Sequence, residues 1–281
     1  MTRIITLSTD FGTEDPYVGV MKGVILGINP GVRLVDLTHS VGAQQVLEGS
    51  FLLGTAFSYF TEGTIHLAVV DPGVGSSRRA LAVEAGGYYF VAPDNGLLTH
   101  VLAEFGHMAR GSGDRPILTD IGNGVRAFSL TNPDYWLHPV SSTFHGRDVF
   151  SPIAAHLSLG IGLEELGEEV SSLLVFPLER PGREGGTISG RVIHIDHFGN
   201  LVTDIRIGDF PDEPVDVLIA GRVIHGLSSF YADAGVSDDV PLLAIAGSTG
   251  YLDIAVRNGN AARFLRVTPG APVQVVVSRG R

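Results

Sequence analysis

At Leu178 the sequence changes its hydrophobic period, and that change constrains the fold more than any other feature. Before it, short apolar runs alternate with stretches of helical spacing. Residues 4–8 predict a strand closed by Thr9-Asp10-Phe11-Gly12. Tyr17–Ile28 carries apolar residues at helical intervals and stops at Asn29-Pro30-Gly31, a combination that ends helices. Residues 33–37 predict a second strand, followed by Thr38-His39-Ser40 and a helix near 43–59. Residues 64–70 predict a third strand, nearly all β-branched or apolar, which suits burial on both faces. Residues 80–84 and 88–91 pair as a hairpin across Gly86-Gly87, and 96–105 and 149–159 predict further helices. This alternation is that of an α/β domain with a central, mostly parallel sheet.

After Leu178 the pattern is different. Glu179-Arg180-Pro181-Gly182-Arg183-Glu184-Gly185-Gly186 is polar and rich in turn formers, which predicts a linker over 179–186. Short alternating stretches follow at 190–195, 201–205, 215–219, 242–246, 251–256 and 273–277, with no segment of helical length and clear period between them. A smaller all-β domain, barrel or sandwich, is expected over 187–281. The chain is thus read as two domains, 1–178 and 187–281.

Composition removes several classes of chemistry. The chain has no cysteine, so disulfides, thiolate metal sites and cysteine nucleophiles are excluded. Lys22 is the sole lysine among 19 basic residues, and Gly23 follows it, so there is no Walker-A loop. Lys22 sits within an apolar periodic stretch and reads as structural. A net charge of −11 without a basic run argues against nucleic acid as a partner. No apolar run reaches the ~18 residues of a membrane helix, and the segment Met1–Gly12 is too short for a secretory signal. A cytoplasmic protein with no membrane partner is expected.

In open α/β sheets, ligands sit beyond the carboxyl ends of the strands. Asp10, Asp71 and Asp94 each follow a predicted strand there, beside Gly or Pro. One such aspartate is more often a cap or turn former than a catalyst, but three on one edge point to convergence. Asp71 and Arg78 bracket a glycine-rich loop that can fold back and pair guanidinium with carboxylate. In Thr143-Phe144-His145-Gly146-Arg147-Asp148, His145 lies in a turn at a helix start, and Asp148 is placed as an N-cap. Two turns of the second domain, Asp196-His197-Phe198-Gly199-Asn200 and Gly247-Ser248-Thr249-Gly250-Tyr251, are explained equally well by turn chemistry alone. Ligation of a divalent ion by Asp10, Asp71, Asp94, His39 and His145 is compatible with these residue types.

Taken together, Ser8–Gly12, Asp71-Pro72-Gly73-Val74-Gly75, Ala92-Pro93-Asp94-Asn95-Gly96, Thr143–Asp148, Asp196–Asn200 and Ser248–Leu252 resemble the S-adenosyl-L-methionine (SAM) hydroxide adenosyltransferases. These SAM hydrolases are relatives of the SAM-dependent fluorinase and chlorinase. The resemblance runs in order over nearly the whole chain. It implies an N-terminal α/β domain, a C-terminal β-barrel and a homotrimer. SAM is then held between one subunit's first domain and a neighbour's second. The implied reaction is hydrolysis of SAM to adenosine and L-methionine, with SAM as substrate and neither cofactor nor metal. The family's catalytic group maps onto Asp71, Arg78 and His145. Asp10 stands where a carboxylate grips the ribose hydroxyls, and Phe11 beside it counts among the substrate contacts. Asp15, Asp196 and Ser248 match positions that hold the methionine amino and carboxylate groups. Asn200, Tyr251 and Val256 fall around the adenosine, and Phe144 and Phe198 match aromatic positions near sugar and base.

Within this resemblance, halogenases carry an uncharged residue where Asp71 stands and no histidine at position 145. A carboxylate repels a halide by ~4 kcal/mol at ~4 Å and an effective dielectric of ~20, so Asp71 favours water. Gln44 stands where the halogenases place a Trp. A metal-dependent hydrolase and a non-catalytic SAM or adenosine binder are the readings from other classes.

Overall fold

The computed structural model describes residues 3–122, 124–211, 213–231 and 241–278. It divides into two compact units, Met1–Leu178 and Glu179–Arg281. In chain order the first unit holds β1 (Ile4–Thr9), α1 (Tyr17–Ile28), β2 (Arg33–Thr38), α2 (Val46–Ala56), β3 (Ile65–Val69), β4 (Ala80–Ala85), β5 (Tyr88–Pro93), α3 (Thr99–Glu104), β6 (Ile117–Asp120) and β7 (Val125–Ser129). A π-helical turn (Gly146–Phe150) then leads into α4 (Ser151–Leu159), followed by α5 (Leu163–Leu166), β8 (Glu168–Val170) and β9 (Ser172–Val175).

The main sheet runs β2-β1-β3-β5-β4-β7-β8. It is parallel through β2-β1-β3-β5 and antiparallel from β5 onward. Every residue of β3 is buried, as the apolar run at 64–70 predicts for a central strand. Helices α1 and α4 cover one face through Met21, Ile25, Ile153 and Ala154. Helices α2 and α3 cover the other through Val46, Leu53, Val101 and Leu102. The hairpin at Gly86-Gly87 has φ of 58° and 82°, the paired left-handed conformations that a two-residue turn of this type needs. His66 of β3 is fully buried among aromatic rings, and its Nδ1 lies 2.8 Å from Thr6 Oγ1. Burial lowers its pKa to about 4, so it is neutral at pH 7.

The second unit comprises β10 (Gly182–Glu184), β11 (Thr187–Ile195), β12 (Leu201–Arg206), β13 (Val215–Ile219), β14 (Arg222–His225), β15 (Leu242–Ala246), β16 (Tyr251–Val256), α6 (Ala261–Leu265) and β17 (Pro272–Val277). Its antiparallel sheet runs β14-β13-β17-β11-β12-β16-β15. Just after β14, Ser228 N donates to Ala244 O of β15 at 2.7 Å, so the sheet curls into a nearly closed barrel. Val192, Leu201, Val217, Leu252, Ile254 and Val275 fill it.

Three segments differ from expectation for local reasons. Residues 182–184, within the stretch expected as linker, form β10 and pair with β11 through the Gly185-Gly186 turn. Helix α2 starts at Val46 and not near residue 43, because Gln44 takes a left-handed φ of 65°. Asp148 is not an N-cap. It lies inside the π-helical turn, fully buried, where it pairs with Arg147 and accepts Ser141 N at 2.8 Å. Among the described residues no helix is long and apolar enough to cross a membrane.

Candidate active site

The candidate site residues fall into two groups, one in each unit. In the first, β1 ends in the Asp10 turn and β3 runs into the loop that begins at Asp71. Gly75 lets that loop press against the strand-free segment before His145. A Cβ there would lie 2.3 Å from Ser142 O, so glycine is required both for this approach and for its φ of 77°. The contact brings the Asp71 loop to the π-helical turn, a geometry often found at functional sites.

Arg78 links the three expected catalytic residues. Its Nε donates to Asp71 Oδ1 and Oδ2 at 2.9 and 3.0 Å, and its Nη2 donates to Oδ2 as well. The same Nη2 lies 3.0 Å from His145 Nδ1. A guanidinium only donates, so Nδ1 is the acceptor and the neutral ring carries its proton on Nε2. Burial lowers the His145 pKa and the Arg78 charge lowers it further, against smaller opposing effects of Asp71 and Asp148. The side chains of Asp71 and Arg78 are only 5% and 10% exposed. The group is a neutral imidazole beside a matched ion pair, and Asp71 Oδ1 keeps lone pairs for another donor.

Asp10 is held from the side: Gln44 N donates to its Oδ2 at 2.8 Å, which explains the left-handed backbone at Gln44. Phe11 and Phe144 pack with Tyr17 in an edge-to-face cluster, with centroids 5.2–5.9 Å apart. Tyr17, not singled out in the sequence, joins the aromatic wall. Asp15 is exposed just ahead of α1. Asp94 stands apart from this group. It is buried, accepts Arg79 Nε at 2.8 Å and Leu174 N at 2.8 Å, and serves the fold. His39 is likewise engaged elsewhere, with Thr9 and Asp36. The five residues considered as metal ligands therefore do not converge, and among the described residues no group of three or more His, Asp or Glu is placed to hold a metal.

In the second unit, Asp196 and Asn200 close the β11–β12 turn on each other. Asn200 N and Nδ2 each donate to the Asp196 carboxylate at 2.8 Å. The Asn200 amide thus faces Asp196, so it fixes that carboxylate. Gly199 has φ of 87°, and a Cβ on it would sit 2.0 Å from Asn260 Nδ2. Phe198 is 72% exposed, which leaves its ring available. Ser248 is exposed in the β15–β16 turn, Tyr251 lies under the Arg206 guanidinium at 4.9 Å, and Val256 is half-buried at the end of β16.

Asp253 was not anticipated. It is only 8% exposed, and its Oδ1 has no hydrogen-bond partner. It lies against the bare backbone of Gly247, where a Cβ would come within 2.4 Å of Oδ2. Burial first, then the negative charge of Asp196, pushes its pKa up to about 7, while His194 pulls the other way. The signal was one acid inside the run Tyr-Leu-Asp-Ile-Ala-Val, which period alone reads as an ordinary strand. A half-ionised carboxyl beside a second carboxylate is an environment that favours a cation.

A mixed α/β unit with a buried carboxylate–guanidinium–imidazole group, followed by an antiparallel barrel with an acidic turn cluster, defines a two-unit enzyme. Comparison with known proteins makes the assignment specific. Residues 5–167 match the SAM hydroxide adenosyltransferase N-terminal domain, and residues 190–274 match the C-terminal domain of the same family. The chain belongs to the SAM hydroxide adenosyltransferase family. It is 38% identical over 279 residues to the (R)-S-adenosyl-L-methionine hydrolase of Salinispora tropica, covering 98% of each chain. It is 30% identical to a fluorinase of Actinoplanes sp., covering 90% of each. The crystal structure of an uncharacterized conserved protein from Thermotoga maritima superposes with a TM-score of 0.83 at 35% identity, over 97% of this chain and 99% of that one.

Proposed function

We infer that this protein hydrolyses S-adenosyl-L-methionine to adenosine and L-methionine. The observation that carries the reading is the Asp71–Arg78–His145 group, which suits water and opposes halide. The sulfonium of SAM is already a good leaving group, so catalysis needs an oxygen nucleophile aimed at C5′ and shielded from bulk solvent. In this reading a water accepts a hydrogen bond from His145 Nε2–H and donates one to Asp71 Oδ1. Its remaining lone pair then faces C5′. As the C5′–O bond forms, the C5′–S bond breaks, its electron pair returns to sulfur as the methionine thioether, and the water's proton passes to Asp71 and on to solvent. Arg78 keeps the carboxylate in place and the imidazole in the donating tautomer. Positioning of this kind is worth up to roughly 7–11 kcal/mol.

Asp10 is assigned to the ribose diol, with Phe11, Tyr17 and Phe144 as the wall beside it. Asp196, supported by Asn200, is assigned to the methionine ammonium, with Asp253 deepening the negative potential there and Asp15 and Ser248 as further contacts. Phe198, Tyr251 and Val256 are assigned to the adenosine. The two half-sets support a homotrimer in which one subunit's first unit works with a neighbour's second. The direct test is incubation of the purified protein with SAM and chromatography of the products. Equimolar adenosine and methionine support the reading, and no turnover, or a halogenated nucleoside when halide is supplied, contradicts it.

A further inference from the structure

The sole lysine of the chain lies on a file of contacts that ends at the Phe11 amide, next to Asp10. Lys22 Nζ of α1 donates to Asp36 Oδ2 at 2.6 Å. Asp36 Oδ1, within β2, lies 3.0 Å from His39 Nε2. His39 Nδ1 is 2.9 Å from Thr9 Oγ1, and that hydroxyl accepts Phe11 N at 3.2 Å. A neutral His39 with its proton on Nε2, on the side of the Asp36 carboxylate, gives the file a single direction. Nδ1 is then an acceptor, the Thr9 hydroxyl proton points to it, and the Thr9 lone pair is left for the Phe11 amide. His39 O also accepts Gly12 N at 2.8 Å. Thr9 is fully buried and His39 is 7% exposed, so the inner part of the file is sheltered from water.

We propose that Lys22, Asp36 and His39 are positioning residues for the reaction: through Thr9 they fix the Phe11–Gly12 backbone, and so the direction in which Asp10 presents its carboxylate to the ribose diol. This rests on the assignment of Asp10 to the diol. Asp36 fits the role of a fixed anion: burial works against its charge, but Lys22 and His39 more than offset it and hold its pKa below the usual value. The Lys22–Asp36 pair is too exposed to matter much as a salt bridge. Its value here is directional, because it sets a one-way order of donors and acceptors.

The test is a double-mutant cycle on the full-length protein, with thermal melts to confirm folding. Asp36→Asn is expected to raise KM for SAM roughly three- to tenfold, the coupling usual within one hydrogen-bonded network, with kcat within about twofold. Lys22→Met should do the same to a smaller degree and Lys22→Arg should restore it. In an Asp10→Ala background, Asp36→Asn should add nothing further. Inhibition by adenosine should weaken in Asp36→Asn, whereas inhibition by 2′,3′-dideoxyadenosine should not change. If Asp10→Ala raises KM but Asp36→Asn does not, or if their effects simply multiply, the positioning role is overturned while the Asp10 assignment stands. If Asp10→Ala itself leaves KM unchanged, the diol assignment falls and the positioning role falls with it.

Discussion

The two half-sites differ in how far each is complete. In the Asp71–Arg78–His145 group of the first unit the carboxylate and the guanidinium match each other. Asp71 is matched by Arg78, and His145 is neutral and satisfied on one side by the same guanidinium. In the second unit, Asp196 is held by an uncharged asparagine, and Asp253 is buried with an oxygen that has no hydrogen-bond partner among the described residues. The first arrangement is that of a preorganised group acting on a neutral molecule, since it needs no ligand to be stable. The second is under electrostatic tension that a cation relieves, and the substrate carries both an ammonium and a sulfonium. In the proposed reading, water handling falls to the first unit and cation capture to the second.

The sharpest way to break this comparison is to alter Asp71. Asp71→Asn keeps the shape, loses the anion, and should lower kcat by about 10²–10⁴, the range for a proton-handling group. KM should stay within a few-fold, because Asp71 is not assigned to the substrate's anchors. Rapid-quench kinetics with calorimetric binding of SAM would separate the two, and abolished binding in a folded variant would overturn the assignment. Asp196→Asn should invert the pattern. Losing a charge-assisted hydrogen bond of about 1.5–3 kcal/mol should raise KM by roughly ten- to a hundredfold, with a smaller change in kcat. If both variants lose kcat alone, the division of labour does not hold.

The division has a pH signature in the unliganded protein. Asp253 has a folded-state pKa of about 7, above its ordinary value of 3.8. Its neutral form is the one the fold tolerates, so it costs nothing at low pH and destabilises progressively as pH rises from about 4 through 7. Full ionisation costs about 4 kcal/mol. His66 acts in the opposite direction. Its folded pKa of about 4 lies below 6.5, so stability falls as pH drops from about 6.5 toward 4. Thermal melts should therefore show Asp253→Asn more stable than wild type at pH 8 and nearly equal at pH 4. Equal stability at both would mean that Asp253 is not under strain.

How much of this was legible depends on whether the residue announces itself locally. Asp10, Asp71 and His145 sit where an apolar strand or a helix start meets Gly or Pro, so their sequence neighbours mark them as loop residues at a sheet edge. The Asp71–Arg78 pairing was legible from the glycines between them. Asp94 shows the same local marks and is structural: the hairpin expected across Gly86-Gly87 sets Arg79 opposite it, a pairing the local marks of the loop do not show. Asp253 lacked any mark: its burial and its proximity to Asp196 arise only when β16 lies beside β12. Lys22 read as structural because Asp36 comes opposite it only once α1 and β2 are in place. The α/β-then-β order was legible from period alone. The β4–β5 hairpin was legible from its two glycines, whereas β7, β8 and the strand at 182–184 were not, since strands of three to five residues carry little periodic signal.

The smallest expected effect probes the tension directly. If the ammonium of SAM settles near Asp196 and Asp253, its positive charge must lower the Asp253 pKa from about 7. At pH 7 the free carboxyl is about half protonated, so binding should expel part of a proton, on the order of 0.3–0.5 per site. Calorimetry at pH 7 in buffers of differing ionisation enthalpy measures that number as the slope of observed heat against buffer enthalpy. The release should fade at pH 9, where Asp253 is already ionised, and should vanish in Asp253→Asn. It should persist in Asp71→Asn, whose altered charge belongs to the other half-site. A release lost in Asp71→Asn and kept in Asp253→Asn would place the cation at the first unit instead, and the contrast between a satisfied and an unsatisfied half-site would have to be abandoned.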